Sequence, residues 1–173
     1  GIPGNPYGLT QLNRGDVIRD VSFQLRRGEI LGFAGLMGAG RTEVARAIFG
    51  ADPIDSGEIY IHGKRVHISS PQDAVHHGIG YLSEDRKRYG LTLGLDLEQN
   101  TVLASFEKFI TFAGWVLSKK TYSITTEMVK ALSIRTPGVA QKVKNLSGGN
   151  QQKVVVGKWL TADTEILIFD EPT

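Results

Sequence analysis

Three short stretches carry residue types at spacings that suit phosphate and metal chemistry. The first is GLMGAGRT, residues 35–42. It fits the phosphate-loop pattern G-x-x-x-x-G-K-[ST] at Gly35, Gly40 and Thr42, and departs from it at Arg41. A strand that feeds such a turn into a helix aims several backbone N–H groups at one point, and the helix dipole adds positive potential there. Gly35, Leu36, Met37, Gly38, Ala39, Gly40, Arg41 and Thr42 are therefore candidates to cradle phosphates, with the Thr42 hydroxyl offered to magnesium. The plain alternative is a glycine-rich strand-to-helix turn.

The second stretch is EILIFDEPT. An apolar strand ending in Asp170 and Glu171 can bring one carboxylate to a metal and the next to an attacking water. Read blandly, it is a strand with an acidic end. The third is NLSGGNQQKVVVGKWL, where Ser147, Gly148 and Gly149 precede a helix with Val154, Val155 and Leu160 on its expected buried side. A serine and two bare glycines at a helix start make a second anion-binding turn, or simply a capped helix with a flexible entry. Their order along one chain argues against three accidents.

Elements to position these residues are legible in the pattern. Asp16–Leu25 alternates as a half-buried strand, and ILGFAG (30–35) reads as a buried parallel strand feeding the loop. RTEVARAIFG places Val44, Ala45, Ile48 and Phe49 on one helical face, with Gly50 as the stop. EIYIHGKRVHI reads as a hairpin turning at 62–64, SPQDAVHHG as a short capped helix, and IGYL as a strand. Residues 98–159 read mainly as helix, broken near Gly114 and Pro137-Gly138, before the final buried strand EILIFD. The whole is an α/β domain with a mostly parallel sheet and an inserted helical block.

Composition narrows the function classes. A chain of 173 residues with net charge +2 suits one globular domain, and its mild basicity does not by itself argue for nucleic acid. The absence of cysteine removes disulfides and thiolate metal sites and fits a reducing compartment. No apolar run approaches the roughly 20 residues that span a bilayer. FITFAGWVL (109–117) reads as helical core or partner-facing surface. Residues 1–15 read as a linker or lead-in and 16–173 as the domain, which ends on a strand where domains seldom finish and so reads as truncated. The run Arg86, Lys87 and Arg88 reads as a solvated loop before a nucleic-acid patch, and the four histidines show no metal-ligand spacing.

Taken together, GLMGAGRT, LSGGN and ILIFDEPT resemble the Walker A, signature and Walker B motifs of the nucleotide-binding domain of ATP-binding cassette (ABC) proteins. GLMGAGRTE, SEDRKRYGL and LSGGNQQK are similar to the C-terminal cassette of the double-cassette ATPases of monosaccharide importers, where arginine is usual at the position of Arg41. The resemblance runs from about Asp16 to Thr173. It implies a P-loop NTPase core with a mostly parallel sheet, an antiparallel β segment and a helical subdomain at about 94–160. It also implies ATP and Mg2+ as cofactors. Gly35 to Thr42 would hold the phosphates, Thr42 and Asp170 the metal, and Glu171 would polarise the attacking water. Ser147, Gly148 and Gly149 would meet the γ-phosphate of ATP on a facing cassette. Implied partners are that second cassette (the N-terminal half of the same full-length chain), membrane permease subunits and, indirectly, a periplasmic or extracellular sugar-binding protein. Nucleic acid is not among them. The expected location is the cytoplasmic face of a bacterial cell membrane.

The sequence also departs from the cassette pattern. Glu84 stands where a catalytic-site glutamine is usual, Asn150 where glutamine is commoner in the signature, and LTQLNRGDV lacks the aromatic residue that would stack on adenine. Three functions stay open: the ATPase subunit of a sugar importer, a degenerate cassette that completes its partner's site but hydrolyses little, and a non-transport ABC protein. A DNA-repair member of that last class would need a long coiled coil between loop and signature, and residues 43–145 show no sustained heptads.

Overall fold

The structure is a computed structural model that describes residues 7–36 and 38–171. The chain divides into two compact units, Gly1–Ile79 and Gly80–Thr173.

In the first unit, strands β1 (Tyr7–Arg14) and β2 (Ile18–Leu25) precede helix α1 (Arg41–Ile48); strands β3 (Ser56–Ile61) and β4 (Lys64–Val66) and helix α2 (Pro71–His76) follow. The four strands form one sheet in the order β2-β1-β3-β4, antiparallel at every junction. β1, in the sequence expected to be lead-in, is an inner strand. Leu9 and Leu12 explain why: both are buried, as are Ile18, Ile59 and Ile61 of the neighbouring strands, so these residues carry core that a linker would not. The β3–β4 hairpin turns at His62 and Gly63, both at positive φ (52° and 70°), the geometry of the tight turn that matches strand twist. Ser70 caps α2 as expected, its hydroxyl accepting from the Asp73 N–H at 3.2 Å.

ILGFAG does not form the expected buried strand. Residues 30–35 are in open backbone and exposed, Ile30 to 97 %. A parallel strand exists only through its ladder partners, and β1, β2, β3 and β4 pair among themselves.

The second unit pairs strand β5 (Ile79–Leu82) with β6 (Ile166–Phe169) and carries helices α3 (Leu97–Val102), α4 (Ser118–Ala131) and α5 (Gly148–Thr161). A π-helical turn spans Arg86–Gly90, and 3-10 turns span Leu103–Phe109 and Val143–Asn145. The helical block is thus present, interrupted where Gly114 and Pro137-Gly138 foretold. α3 starts at a reciprocal cap: the Asp96 carboxylate accepts from Gln99 N–H at 2.8 Å while the Gln99 side chain accepts from Asp96 N–H at 3.2 Å. α5 buries Gln151, Val154, Val155, Lys158 and Trp159, an i, i+3, i+4, i+7, i+8 stripe. Leu160, expected on that side, is one step out of phase and 41 % exposed. β6 is half-buried along Ile166, Leu167 and Ile168, and Phe169 is exposed, so the expected buried strand is only partly covered.

Candidate functional site

The phosphate-loop sequence lies in the first unit. Gly38 and Gly40 have φ of 80° and 83°, the left-handed region, and Gly40 is the residue from which α1 starts. A side chain at Gly40 would also stand 3.3 Å from the Val17 carbonyl oxygen, so glycine there answers both a backbone and a packing demand. Ala39 N–H donates to Leu36 C=O at 3.0 Å, and Val44 N–H to Gly40 C=O at 3.0 Å. The Arg41 guanidinium donates to the Gly35 carbonyl, so the side chain lies back across its own loop. Thr42 is half-buried in the first turn of α1, beside Glu43. Met37 falls outside the described residues. The helix itself is anchored at its far end. Arg46 grips Asp52 through two nitrogens at 2.8 Å, and Arg14 of β1 joins the same carboxylate at 3.0 Å. The Arg46 hydrogen bond, aided by the charges of Arg46 and Arg14, holds the Asp52 carboxyl below the usual carboxylate range.

Two strand ends converge in the second unit. Glu84, Asp170 and Glu171 line one open cleft with Ser83, Arg86 and Gln152. Three carboxylates that are separate in sequence are therefore neighbours, and Arg86 stands among them. Asp170 is buried, and its position is fixed twice. The Tyr81 hydroxyl donates to Asp170 Oδ2 at 2.8 Å, and Asp170 N–H donates to the Leu82 carbonyl at 2.9 Å. Tyr81 is held in turn by Trp159 of α5, whose indole N–H donates to the Tyr81 carbonyl at 2.9 Å. Glu171 is exposed with φ 47°, uncommon for a residue with a side chain, and so leaves the line of β6. Among the described residues, no group of three or more His, Cys, Asp or Glu is arranged to hold a metal unaided.

Ser147, Gly148 and Gly149 sit at the start of α5. Ser147 does not cap the helix with its side chain. Its hydroxyl oxygen accepts instead from the Asn150 amide at 2.9 Å, and the Asn150 carbonyl oxygen accepts from Arg135 N–H at 2.9 Å. Gly148 faces Arg86, whose Nη2 is 2.6 Å from where a Cβ would be. Gly149 has open space around it. At the other end of α5, Lys158 is buried. Its ammonium donates to the Gly90 carbonyl at 2.7 Å and lies 4.6 Å from the Trp159 ring centre. Burial lowers the Lys158 pKa to about 8.

A family model described as "ABC transporter" matches residues 18–173. The chain belongs to the ABC transporter family. Two curated relatives, from Albidiferax ferrireducens and Burkholderia lata, are each 60 % identical over 162 residues; both are named ribose/galactose/methyl galactoside import ATP-binding proteins. The match covers 94 % of this chain but 32 % of each relative, so the chain spans about a third of their length. Among solved structures, the ATP-binding cassette MJ0796, in a dimeric post-hydrolysis state with ADP and Pi, superposes with a TM-score of 0.77 at 20 % identity. That superposition covers 96 % of this chain and 74 % of the other. The cbiO1 protein of Clostridium perfringens, part of the ABC transporter complex cbiONQ, gives 0.75 at 18 % identity, covering 98 % and 66 %. These likenesses establish the ABC ATPase cassette fold.

Several residues of this ABC cassette escaped motif reading. Tyr81, Trp159 and Gln152 reach the acidic cleft or its supports only through the fold, and Arg86, expected in a solvated loop, is half-buried and lines the cleft. Tyr7 is 5 % exposed and packs on His62 with ring centres 5.3 Å apart. The loop charges Lys87 and Arg88 are exposed, in keeping with a solvated loop.

Proposed function

We propose that this cassette binds Mg-ATP and hydrolyses it to energise import of a monosaccharide through a membrane permease, as the C-terminal cassette of a longer, two-cassette chain. The convergence of Asp170, Glu171 and Glu84 on one cleft, with Asp170 pinned by Tyr81, carries this reading. The names of the 60 % identical relatives point to the sugar cargo. Mg2+ fits the residues present: it favours one or two carboxylates plus substrate phosphates over a closed protein cage, and Asp170, pinned by Tyr81, supplies one such carboxylate, to which Thr42 would add its hydroxyl. Bound there, Mg2+ would neutralise charge building on the transferred phosphoryl group. Glu171 would orient the attacking water and take its proton on the carboxylate, with Glu84 beside it. Ser147, Gly148 and Gly149 would meet the γ-phosphate held by the facing cassette. The protein would work at the cytoplasmic face of the membrane, with a sugar-binding protein delivering cargo to the permease.

One observation favours a second reading, in which this cassette completes its partner's site and turns over little ATP itself. Arg41 lies back on Gly35, and its planar fork is not the flexible point charge a phosphate-loop lysine supplies. Single-turnover hydrolysis in the full-length protein, with Glu171→Gln alone and with the matching change in the other cassette alone, separates the two. Loss of phosphate release at one site per chain on Glu171→Gln supports active hydrolysis here. An unchanged burst supports the second reading, and no Mg-dependent ATP binding at all refutes both.

A further inference from the structure

Around Ser147 the hydrogen bonds have a direction that the atoms themselves dictate. Arg135 contributes a backbone N–H, which can only donate, so the Asn150 atom facing it at 2.9 Å must be the carbonyl oxygen. The other end of that amide is then the NH2 group, and it faces Ser147 Oγ at 2.9 Å. An NH2 group can only donate. Ser147 Oγ is therefore an acceptor toward Asn150, and its own hydroxyl proton must point elsewhere. Ser147 is exposed and its Oγ has no other hydrogen-bond partner among the described residues. From this we infer that Asn150 is a positioning residue that presets Ser147 as a hydrogen-bond donor toward a phosphate oxygen. A serine free to rotate could present a lone pair or a proton to an arriving anion. Here one lone pair is already engaged and the proton is left facing outward.

The anchor for this arrangement lies outside the motif. Arg135 follows α4 in the segment that leads toward the 3-10 turn Val143–Asn145. Asn150 thus ties the signature turn to that segment with one atom and sets the polarity of Ser147 with another. The length of the side chain suits both tasks, because Asn150 lies only three residues from Ser147 on the first turn of α5.

The inference rests on the proposed role of Ser147 to Gly149 toward a γ-phosphate, and the test separates the two. Four variants of the full-length protein are compared for kcat and KM of ATP hydrolysis: Ser147→Ala, Asn150→Ala, Asn150→Asp and the double Ser147→Ala/Asn150→Asp. An aspartate keeps the bond from Arg135 N–H, but its second oxygen can only accept, so it captures the Ser147 proton and reverses the polarity. Alanine breaks the tie to Arg135 yet leaves Ser147 able to donate. A donor to a charged phosphate is worth about tenfold or more in kcat. The expected order is a loss of about tenfold or more for Ser147→Ala, a similar loss for Asn150→Asp, and a smaller loss of about three- to fivefold for Asn150→Ala, where Ser147 can still donate but is no longer preset. If Asn150 only holds the turn in shape, the ranking inverts, because Asn150→Ala loses the Arg135 anchor and Asn150→Asp keeps it; that result overturns the inference. The double variant deals with the added negative charge. Repulsion of phosphate by the carboxylate would lower kcat further in the Ser147→Ala background, and would also overturn it. A double no worse than Ser147→Ala supports it. Should Ser147→Ala itself leave hydrolysis unchanged, the phosphate role of the signature turn fails, and the inference with it. Urea midpoints of all four variants show whether any loss comes from misfolding.

Discussion

Lys158 offers a sharp test of how tightly α5 is seated. Its ammonium is buried under Trp159 with the Gly90 carbonyl as acceptor, and burial lowers its pKa from the ordinary 10.5 to about 8. The unfolded chain therefore holds more protons than the folded one between those two values, and stability must rise with pH across that window. Below about pH 8 the lysine is charged in both states and the full burial cost stands; above about 10.5 it is neutral in both and the cost is gone. At 1.36 kcal/mol per pH unit the gain has a ceiling of about 3 kcal/mol, and water reaching the ammonium lowers it toward about 1 kcal/mol. Lys158→Met keeps the stem and removes the titration. Urea unfolding of both proteins, followed by the fluorescence of the neighbouring Trp159, gives their stability difference at each pH. Other alkaline titrations are common to both and cancel. The wild type should gain on the variant by about 1–3 kcal/mol from pH 7.5 to 10.5. A difference that stays flat over that range would refute the argument that burial, and not mere proximity to the aromatic ring, governs this side chain.

Three other outcomes follow from the same geometry. Gly149→Asp should abolish most hydrolysis in the full-length protein while leaving the fold intact, since nothing lies within 4 Å of a Cβ there; Arg41→Ala should cost clearly less kcat at saturating ATP. Gly80→Ala should destabilise the second unit by about 1–3 kcal/mol in urea unfolding, because its Cβ would stand 2.9 Å from both Leu167 Cδ2 and Trp159 Cγ. Asp52→Asn should lower the melting temperature at neutral pH and lose that effect in acid. The folded-state pKa of Asp52 is depressed, chiefly by the Arg46 hydrogen bond, so its contribution is present above the unfolded pKa and is lost as pH falls.

The local rules were legible where the chemistry is local. The turn at His62-Gly63, the Ser70 cap, the helix opened at Arg41 and the breaks near Gly114 and Pro137 all depend on neighbours within a few residues. The convergence of Glu84 with Asp170 and Glu171 could be suspected only by matching motifs, since the pairing of β5 with β6 brings together residues far apart in the chain. Three readings went astray for physical reasons. Tyr7–Arg14 looks like lead-in because glycine and polar residues dilute its alternation, yet Leu9 and Leu12 are core. Leu160 looks inward by apolarity alone, but the indole of Trp159, one position earlier, takes the buried place. Residues 30–35 looked like a strand because their composition suits one, but composition supplies no ladder partner.

That last segment has a practical consequence for anyone handling the chain. Ile30, Phe33 and Leu36 are 97 %, 51 % and 86 % exposed, within a run that carries no charge between Glu29 and Arg41. Exposed apolar side chains with no charge among them form the kind of surface that associates with another copy of itself. The colloidal behaviour of the 173-residue polypeptide is therefore set by about a dozen residues and not by its net charge of +2. Kosmotropic salts such as sulfate should precipitate it early, and light scattering should climb steeply with concentration. A single Phe33→Lys change should bring both back toward those of an ordinary small protein.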